Sequence, residues 1–257
     1  MKSYEILLYT ERFTDYNEKS IDFLLNEIPY YDDIGYAGYS SKDALGKFLV
    51  WSIFGKEQKK WKNIDESEIR KVIENSLEAC LSVIGKEPLR IFVFPTVDKF
   101  IINKMNGIAG FSPWKNTIII NIYPYENWKN SLKATVVHEL AHAIALNYNE
   151  RNMLKDHLVS EGIAEHFREH FASSEKSIWV KSIPEKTAFK ILQEIKSFLD
   201  SEDERIYREL FFGTGKYPLW SGYAIGYYIV GSYLKKQKTI DWKELLKLPI
   251  SEIIENF

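Results

Sequence analysis

The chain has 257 residues, and 34 lysines and arginines against 36 aspartates and glutamates give a formal net charge of −2. Apolar residues at 45% and charged residues at 27% are typical of a globular protein with a buried core. The even charge argues against nucleic-acid binding, and the single cysteine, Cys80, excludes an internal disulfide and fits a reducing compartment.

The first part of the chain carries the predicted strands. Runs rich in β-branched and aromatic residues predict strands at 4–10, 90–95 and 117–123. Apolar residues at three-to-four spacing predict helices at 15–28, 41–54 and 65–84. Residues 106–114, which contain two glycines, are predicted to form a loop between the last two strands.

From residue 126 onward the pattern is almost entirely helical. Helices are predicted at 127–148, 156–172, 184–199, 203–212 and 219–236, with short pieces at 241–256. The fold class is therefore predicted to be α+β. A sheet-bearing part at 1–125 and a helical part at 126–257 are expected to form one catalytic unit with a cleft between them.

All five histidines fall between residues 138 and 170, and two of them belong to the sequence His138-Glu139-Leu140-Ala141-His142. Residues four apart share a face of a helix, so both imidazoles can reach one metal ion. Glu139 would then point to the open side of the metal, where it can accept a proton from water. The apolar flanks indicate a buried helix, on which unpartnered imidazoles would be costly.

A catalytic zinc ion needs a third protein ligand. The segment from Asp156 to Glu165 offers His157, Glu161 and Glu165 at four-residue spacing, and we select Glu161 because Gly162 beside it lets a second helix approach. Glu165, one turn later, is then expected to accept a hydrogen bond from a ligand imidazole. His157 or Glu165 as the ligand remains the alternative. His166 and His170 are expected to face outward.

The spacing of His138, His142 and, after eighteen residues, Glu161 resembles the gluzincin clan of zinc peptidases. The segments Ser160–Glu165 and Gly222–Tyr227 are similar to an uncharacterised bacterial family of predicted zinc-dependent proteases with HExxH and EGxAE motifs. The resemblance covers about residues 110–235. It implies a zincin-like fold and one Zn²⁺ per chain.

The resemblance also implies two further parts of the site. Zincins bind extended substrates along an edge strand just before the motif helix, which here would be 117–123, with Ile118, Ile119, Ile120 and Asn121 as the substrate-binding residues. Zinc peptidases also place a hydrogen-bond donor opposite the metal to stabilise the oxyanion, and here Tyr223 or Tyr227 is the candidate. Both tyrosines could equally be packing residues.

Together these features predict a zinc-dependent endopeptidase with Glu139 as general base and a peptide or protein as substrate. Residues 107–113 lack the carboxylate with which related aminopeptidases hold a free amine, which favours internal cleavage. The alternatives are a zinc-binding regulatory or interaction protein without peptidase activity, a zinc hydrolase of non-peptide substrates, and a helical domain with a chance motif. The start of the chain lacks the features of a signal peptide, and no stretch is long enough for a membrane span, so a cytoplasmic protein without a membrane partner is expected.

Overall fold

The computed structural model of the protein describes residues 2–10, 26, 42–55, 65–123 and 126–255. Within these ranges the fold is mixed α+β, with a small four-stranded sheet and mostly helical structure elsewhere. The strands are β1 (Tyr4–Leu8), β2 (Leu89–Pro95), β3 (Ile108–Phe111) and β4 (Thr117–Ile122). The α-helices are α1 (Lys42–Phe54), α2 (Glu66–Ile84), α3 (Lys99–Lys104), α4 (Trp128–Ala145), α5 (Leu154–Phe171), α6 (Glu185–Glu194), α7 (Glu204–Phe212), α8 (Ser221–Leu234), α9 (Trp242–Leu245) and α10 (Ile250–Glu255).

The strand order in the sheet is β1-β2-β4-β3, so the prediction that residues 117–123 form an edge strand is wrong. β4 pairs in parallel with β2 on one side and antiparallel with β3 on the other. Both rows of its backbone hydrogen-bonding groups therefore face neighbouring strands. The edge strand on this side of the described sheet is β3, which lies within the segment predicted to be a loop.

The same topology corrects the predicted substrate-binding residues. Ile118, Ile119, Ile120 and Asn121 are each 0% exposed. Successive side chains of a strand point to opposite faces, so burial of all four means that both faces of β4 are covered. A peptide cannot lie along this strand.

Most predicted helices are confirmed, with ends that differ by a few residues. The predicted helix at 15–28 lies outside the described residues except for Asn26. Aspartates cap the N-termini of several helices, because their carboxylates accept hydrogen bonds from otherwise unpaired backbone N–H groups of the first turn. These caps are Asp65 on α2, Asp98 on α3, Asp203 on α7 and Asp241 on α9.

The chain divides into two compact units, 1–82 with 86–143 and 83–85 with 144–257. The predicted division after residue 125 stays a prediction. In the first unit, one apolar cluster joins α1 to the sheet. Its members are Tyr9, Leu49, Ile53, Phe54, Phe92, Phe94, Phe111, Trp114 and Ile119.

In the second unit, α5 and α8 pack closely against each other. A Cβ on Gly162 would lie 2.2 Å from the carbonyl oxygen of Gly226, and a Cβ on Gly226 would lie 1.9 Å from that of Leu158. The two backbones therefore touch directly, as expected from the glycines in the sequence. This crossing fixes the turn of α5 that contains Glu161.

Among the helices that the structure describes, none combines the length and the apolar character needed to cross a membrane.

Candidate metal centre

Two imidazoles face each other on α4. His138 and His142 lie one turn apart, and their Nε2 atoms are 3.0 Å from one another. Both histidines are buried, with 6% of His138 and 3% of His142 exposed to solvent. A short, buried approach of two ring nitrogens leaves room for one proton or one cation between them.

Glu161 of α5 completes the group. One ligand atom from each of His138, His142 and Glu161 lies within 4.8 Å of the other two, and Glu161 is 8% exposed. Two neutral imidazoles and a carboxylate are the donor types of a catalytic zinc site.

The spacing of the donors suits a small divalent cation. Zn–N bonds of 2.0–2.1 Å in a tetrahedron place two nitrogens about 3.3 Å apart. The 3.0 Å between the two Nε2 atoms requires only a small adjustment. Three protein ligands also leave one of four tetrahedral positions for water or substrate.

Glu139 follows the first histidine, and its side chain contacts β3 and Ser112, the residue after that strand. Ser112 Oγ lies 2.9 Å from the carbonyl oxygen of Glu139 and 3.0 Å from its Oε2. A Cβ on Gly110 of β3 would lie 2.6 Å from Glu139 Cγ and 2.6 Å from Thr135 Cγ2. β3 therefore passes directly beside the Glu139 side chain because residue 110 is a glycine.

Glu165 lies one turn beyond Glu161 and is completely buried. Its Oε1 accepts a hydrogen bond of 2.6 Å from Trp179 Nε1, and its Oε2 accepts one of 3.1 Å from Arg168 Nε. Arg168 also donates to the carbonyl oxygen of Glu175 over 2.8 Å. The carboxylate is thus fixed by a neutral and a charged donor, while its predicted bond to a ligand imidazole stays a prediction.

The two candidate tyrosines lie in different surroundings. The ring of Tyr223 packs against Trp179 and Phe211 and is partly exposed. The hydroxyl of Tyr227 donates to Glu169 Oε2 over 3.0 Å. Burial and the neighbouring Glu169 carboxylate raise the pKa of Tyr227. Tyr227 is therefore the less suitable of the two as an oxyanion donor.

The remaining histidines are outside the metal-binding group. His157 packs its ring against Tyr207, with centroids 4.6 Å apart. His170 is exposed, as expected, whereas the imidazole of His166 is only 14% exposed, so the prediction that it faces outward is wrong. Its Nε2 lies 2.9 Å from the carbonyl oxygen of Tyr227.

Sequence reasoning missed three residues of this region, Ser112, Arg168 and Trp179. Ser112 precedes Glu139 by 27 positions, and Trp179 follows Glu165 by 14. No helical or strand periodicity relates such positions. Arg168 lies three residues after Glu165, and that i,i+3 spacing could have indicated the pair.

The two imidazoles of α4 and the buried carboxylate of Glu161 thus form a candidate metal site in a mixed α+β protein, and β3 passes beside the carboxylate of Glu139. The chain belongs to the family described as Predicted Zn-dependent protease (DUF2268), whose model matches residues 69–255. The match includes every residue of the candidate centre.

A curated relative is similar over part of the chain. Uncharacterized protein YjaZ of Bacillus subtilis (strain 168) is 32% identical over 115 residues, which cover 42% of this chain and 44% of the relative. The matched segment thus spans less than half of the relative's length. No solved structure matches this chain.

Proposed function

We propose that the protein is a zinc-dependent endopeptidase of gluzincin type. The proposal rests on one observation above all: His138, His142 and Glu161 bring three ligand atoms within 4.8 Å of one another. Membership of a family of predicted zinc-dependent proteases also supports the proposal of a zinc-dependent peptidase.

His138, His142 and Glu161 would hold the ion, and Glu139 would act as the general base. Bound zinc polarises the scissile carbonyl and makes a water molecule more acidic. Glu139 takes the proton from the attacking water and returns it to the leaving amine. Tyr223 donates a hydrogen bond to the carbonyl oxygen as negative charge develops there.

The substrate peptide would lie along β3 rather than along β4. An edge strand offers main-chain donors and acceptors to an extended peptide, so binding makes few demands on side chains. Because β3 passes beside Glu139 at Gly110, a peptide paired with β3 would run close to the general base. The absence of a carboxylate in residues 107–113 favours cleavage within a chain over removal of its first residue.

The first experiment measures metal content by elemental mass spectrometry in the wild-type protein and in His142→Ala and Glu161→Ala. We expect about one zinc per chain in the wild type and loss of zinc in both variants, since each removes one of three protein ligands. Asp241→Ala, which changes a helix cap far along the chain, serves as a carboxylate control and should keep zinc. Zinc retained in Glu161→Ala would move the third ligand to His157 or Glu165.

The second experiment separates catalysis from binding. Glu139→Gln preserves the shape of the side chain but removes the base, so peptide hydrolysis should fall by at least about a hundredfold while zinc content stays unchanged. Hydrolysis would be followed on a library of internally quenched peptides. An active Glu139→Gln variant would refute the base assignment. A wild-type protein that binds zinc but cleaves no peptide would support the alternative of a regulatory zinc-binding protein.

A further inference from the structure

A cavity lies in the unit that contains α5 and α8. Its volume is about 470 Å³, within the range of pockets that bind small organic molecules. Tyr227, Tyr228 and Trp242 contribute aromatic surface, and Leu234 and Ile240 contribute aliphatic surface. We call it the α5–α8 pocket.

The α5–α8 pocket is distinct from the metal centre. An α-helix turns by about 100° per residue, so His166, five residues after Glu161, points about 140° away from it. His166 lines the pocket, whereas Glu161 belongs to the metal-binding group. A ligand in the pocket would therefore not occupy the open position of the metal.

The wall of the pocket is built by specific contacts. The imidazole of His166 stacks on the ring of Tyr227 with centroids 4.2 Å apart. Gly231 makes room for it, because a Cβ there would lie 3.2 Å from His166 Nε2. The Tyr227 hydroxyl donates a hydrogen bond to the carboxylate of Glu169. His166 Nε2 is hydrogen-bonded to the carbonyl oxygen of Tyr227. These polar atoms are already satisfied, so the wall is suited to an apolar ligand surface.

The charged groups at the pocket favour an anion. Lys176 and Lys235 line it, together with the carboxylate of Glu185. The Glu169 carboxylate behind the wall also interacts with Lys176, but it lies 3.8 Å from the Arg168 guanidinium, which offsets its charge. Lys176 Nζ lies 4.8 Å from the ring centroid of Tyr227 and 5.1 Å from that of Tyr228. Neither lysine takes part in a salt bridge with any residue in the described ranges. Burial lowers the pKa of His166 and so disfavours the charged form of its imidazole.

We propose that the α5–α8 pocket binds a small organic carboxylate whose apolar or aromatic body lies against Tyr227, Tyr228 and Trp242 while its charge faces Lys176 and Lys235. Aromatic faces stabilise the body through burial, and the two lysines stabilise the charge. This site is independent of the proposed peptidase activity.

The test is isothermal titration calorimetry with three probes: 3-phenylpropionate, its neutral amide and acetate. The amide keeps the body without the charge, and acetate keeps the charge without the body. We expect saturable 1:1 binding of 3-phenylpropionate, with and without zinc, and at least about fivefold weaker binding of the other two. Added salt should weaken the binding of 3-phenylpropionate. Absence of saturable binding, or equal binding of acid and amide, would overturn the proposal.

Variants locate the site. Lys176→Gln and Lys235→Gln should each raise the dissociation constant of 3-phenylpropionate by about two- to fivefold, the range of exposed charge pairs. Glu185→Gln should lower it, because a repulsive charge is removed. Lys71→Gln, an exposed lysine of α2, changes the net charge equally and should have no effect. Equal effects of Lys71→Gln and the pocket lysines would show that binding occurs elsewhere.

Discussion

At the scale of single residues, the orientation of Glu139 is the feature that most directly affects the proposed chemistry. Its carboxylate lies on a buried helix, and the Ser112 hydroxyl is 3.0 Å from its Oε2. A general base must be held within hydrogen-bonding reach of the attacking water, and a side chain with free rotation would often be misplaced. Ser112 therefore acts as a positioning residue in the proposed mechanism.

Ser112→Ala should lower kcat/KM for peptide hydrolysis by about tenfold without loss of zinc, the scale of changes to residues that orient a catalytic group. The acidic limb of the pH–rate profile should move to higher pH, because the carboxylate loses a hydrogen bond that favours its charged form. Steady-state kinetics between pH 5 and 8 would measure both effects. Ser82→Ala, at an exposed serine that donates to Ala79, is the control. An unchanged profile would mean that Ser112 supports only the backbone of α4.

The residues that could be predicted from the sequence are those related by local geometry. His138, Glu139 and His142 share a single helix, so their relation follows from 3.6 residues per turn. Glu161 could be proposed because Gly162 indicated a close helix. Ser112 and Trp179 are brought to Glu139 and Glu165 by tertiary packing, which leaves no period in the sequence.

At the scale of elements, the crossing of α5 and α8 is a tight packing constraint in the second unit. The backbones touch at Gly162 and Gly226, and Glu161 adjoins this contact. The angular position of Glu161 therefore depends on the distance between two helices. A larger residue at the crossing would separate them.

Gly226→Ala should destabilise the protein by about 3 kcal/mol or more, because a new Cβ would lie 1.9 Å from the carbonyl oxygen of Leu158, a backbone atom that cannot move alone. Gly231→Ala on the same helix is the matched control. Its Cβ would meet only the side chain of His166 at 3.2 Å, and alanine favours the helix by up to about 1 kcal/mol. Urea unfolding of both variants would measure the difference. Equal stability would show that the crossing tolerates a methyl group.

In the sheet, β2 and β4 could be predicted from the sequence, whereas β3 could not. β2 and β4 could be predicted because they are continuous runs of β-branched and aromatic residues, typical of buried strands. β3, with the sequence Ile108-Ala109-Gly110-Phe111, has no such run, and its glycine is required by contact with Glu139. The resemblance to zincins placed β4 at the edge of the sheet, although its two buried faces and its Ile-rich sequence are those of an interior strand.

At the scale of the whole molecule, a bound metal would couple the candidate site to the stability of the fold. The ligands are 23 positions apart at the extremes, and α4 and α5 are separate helices. An unfolded chain does not hold these three groups together, so a zinc ion bound at this site would stabilise the folded state. Without the ion, two buried imidazoles and a carboxylate lack the cation that their arrangement fits.

Removal of zinc should therefore lower the melting temperature of the wild-type protein. With zinc at about 100 times its dissociation constant, binding adds about 2.7 kcal/mol to folding, or about 5–10 °C in a chain of this size. Differential scanning calorimetry before and after chelation would measure the change, and restored zinc should reverse it. In His142→Ala the melting temperature should be insensitive to the chelator. A wild-type transition that is equally insensitive, in a protein shown to contain zinc, would mean that the ion binds folded and unfolded chains alike and is not held by this preformed group.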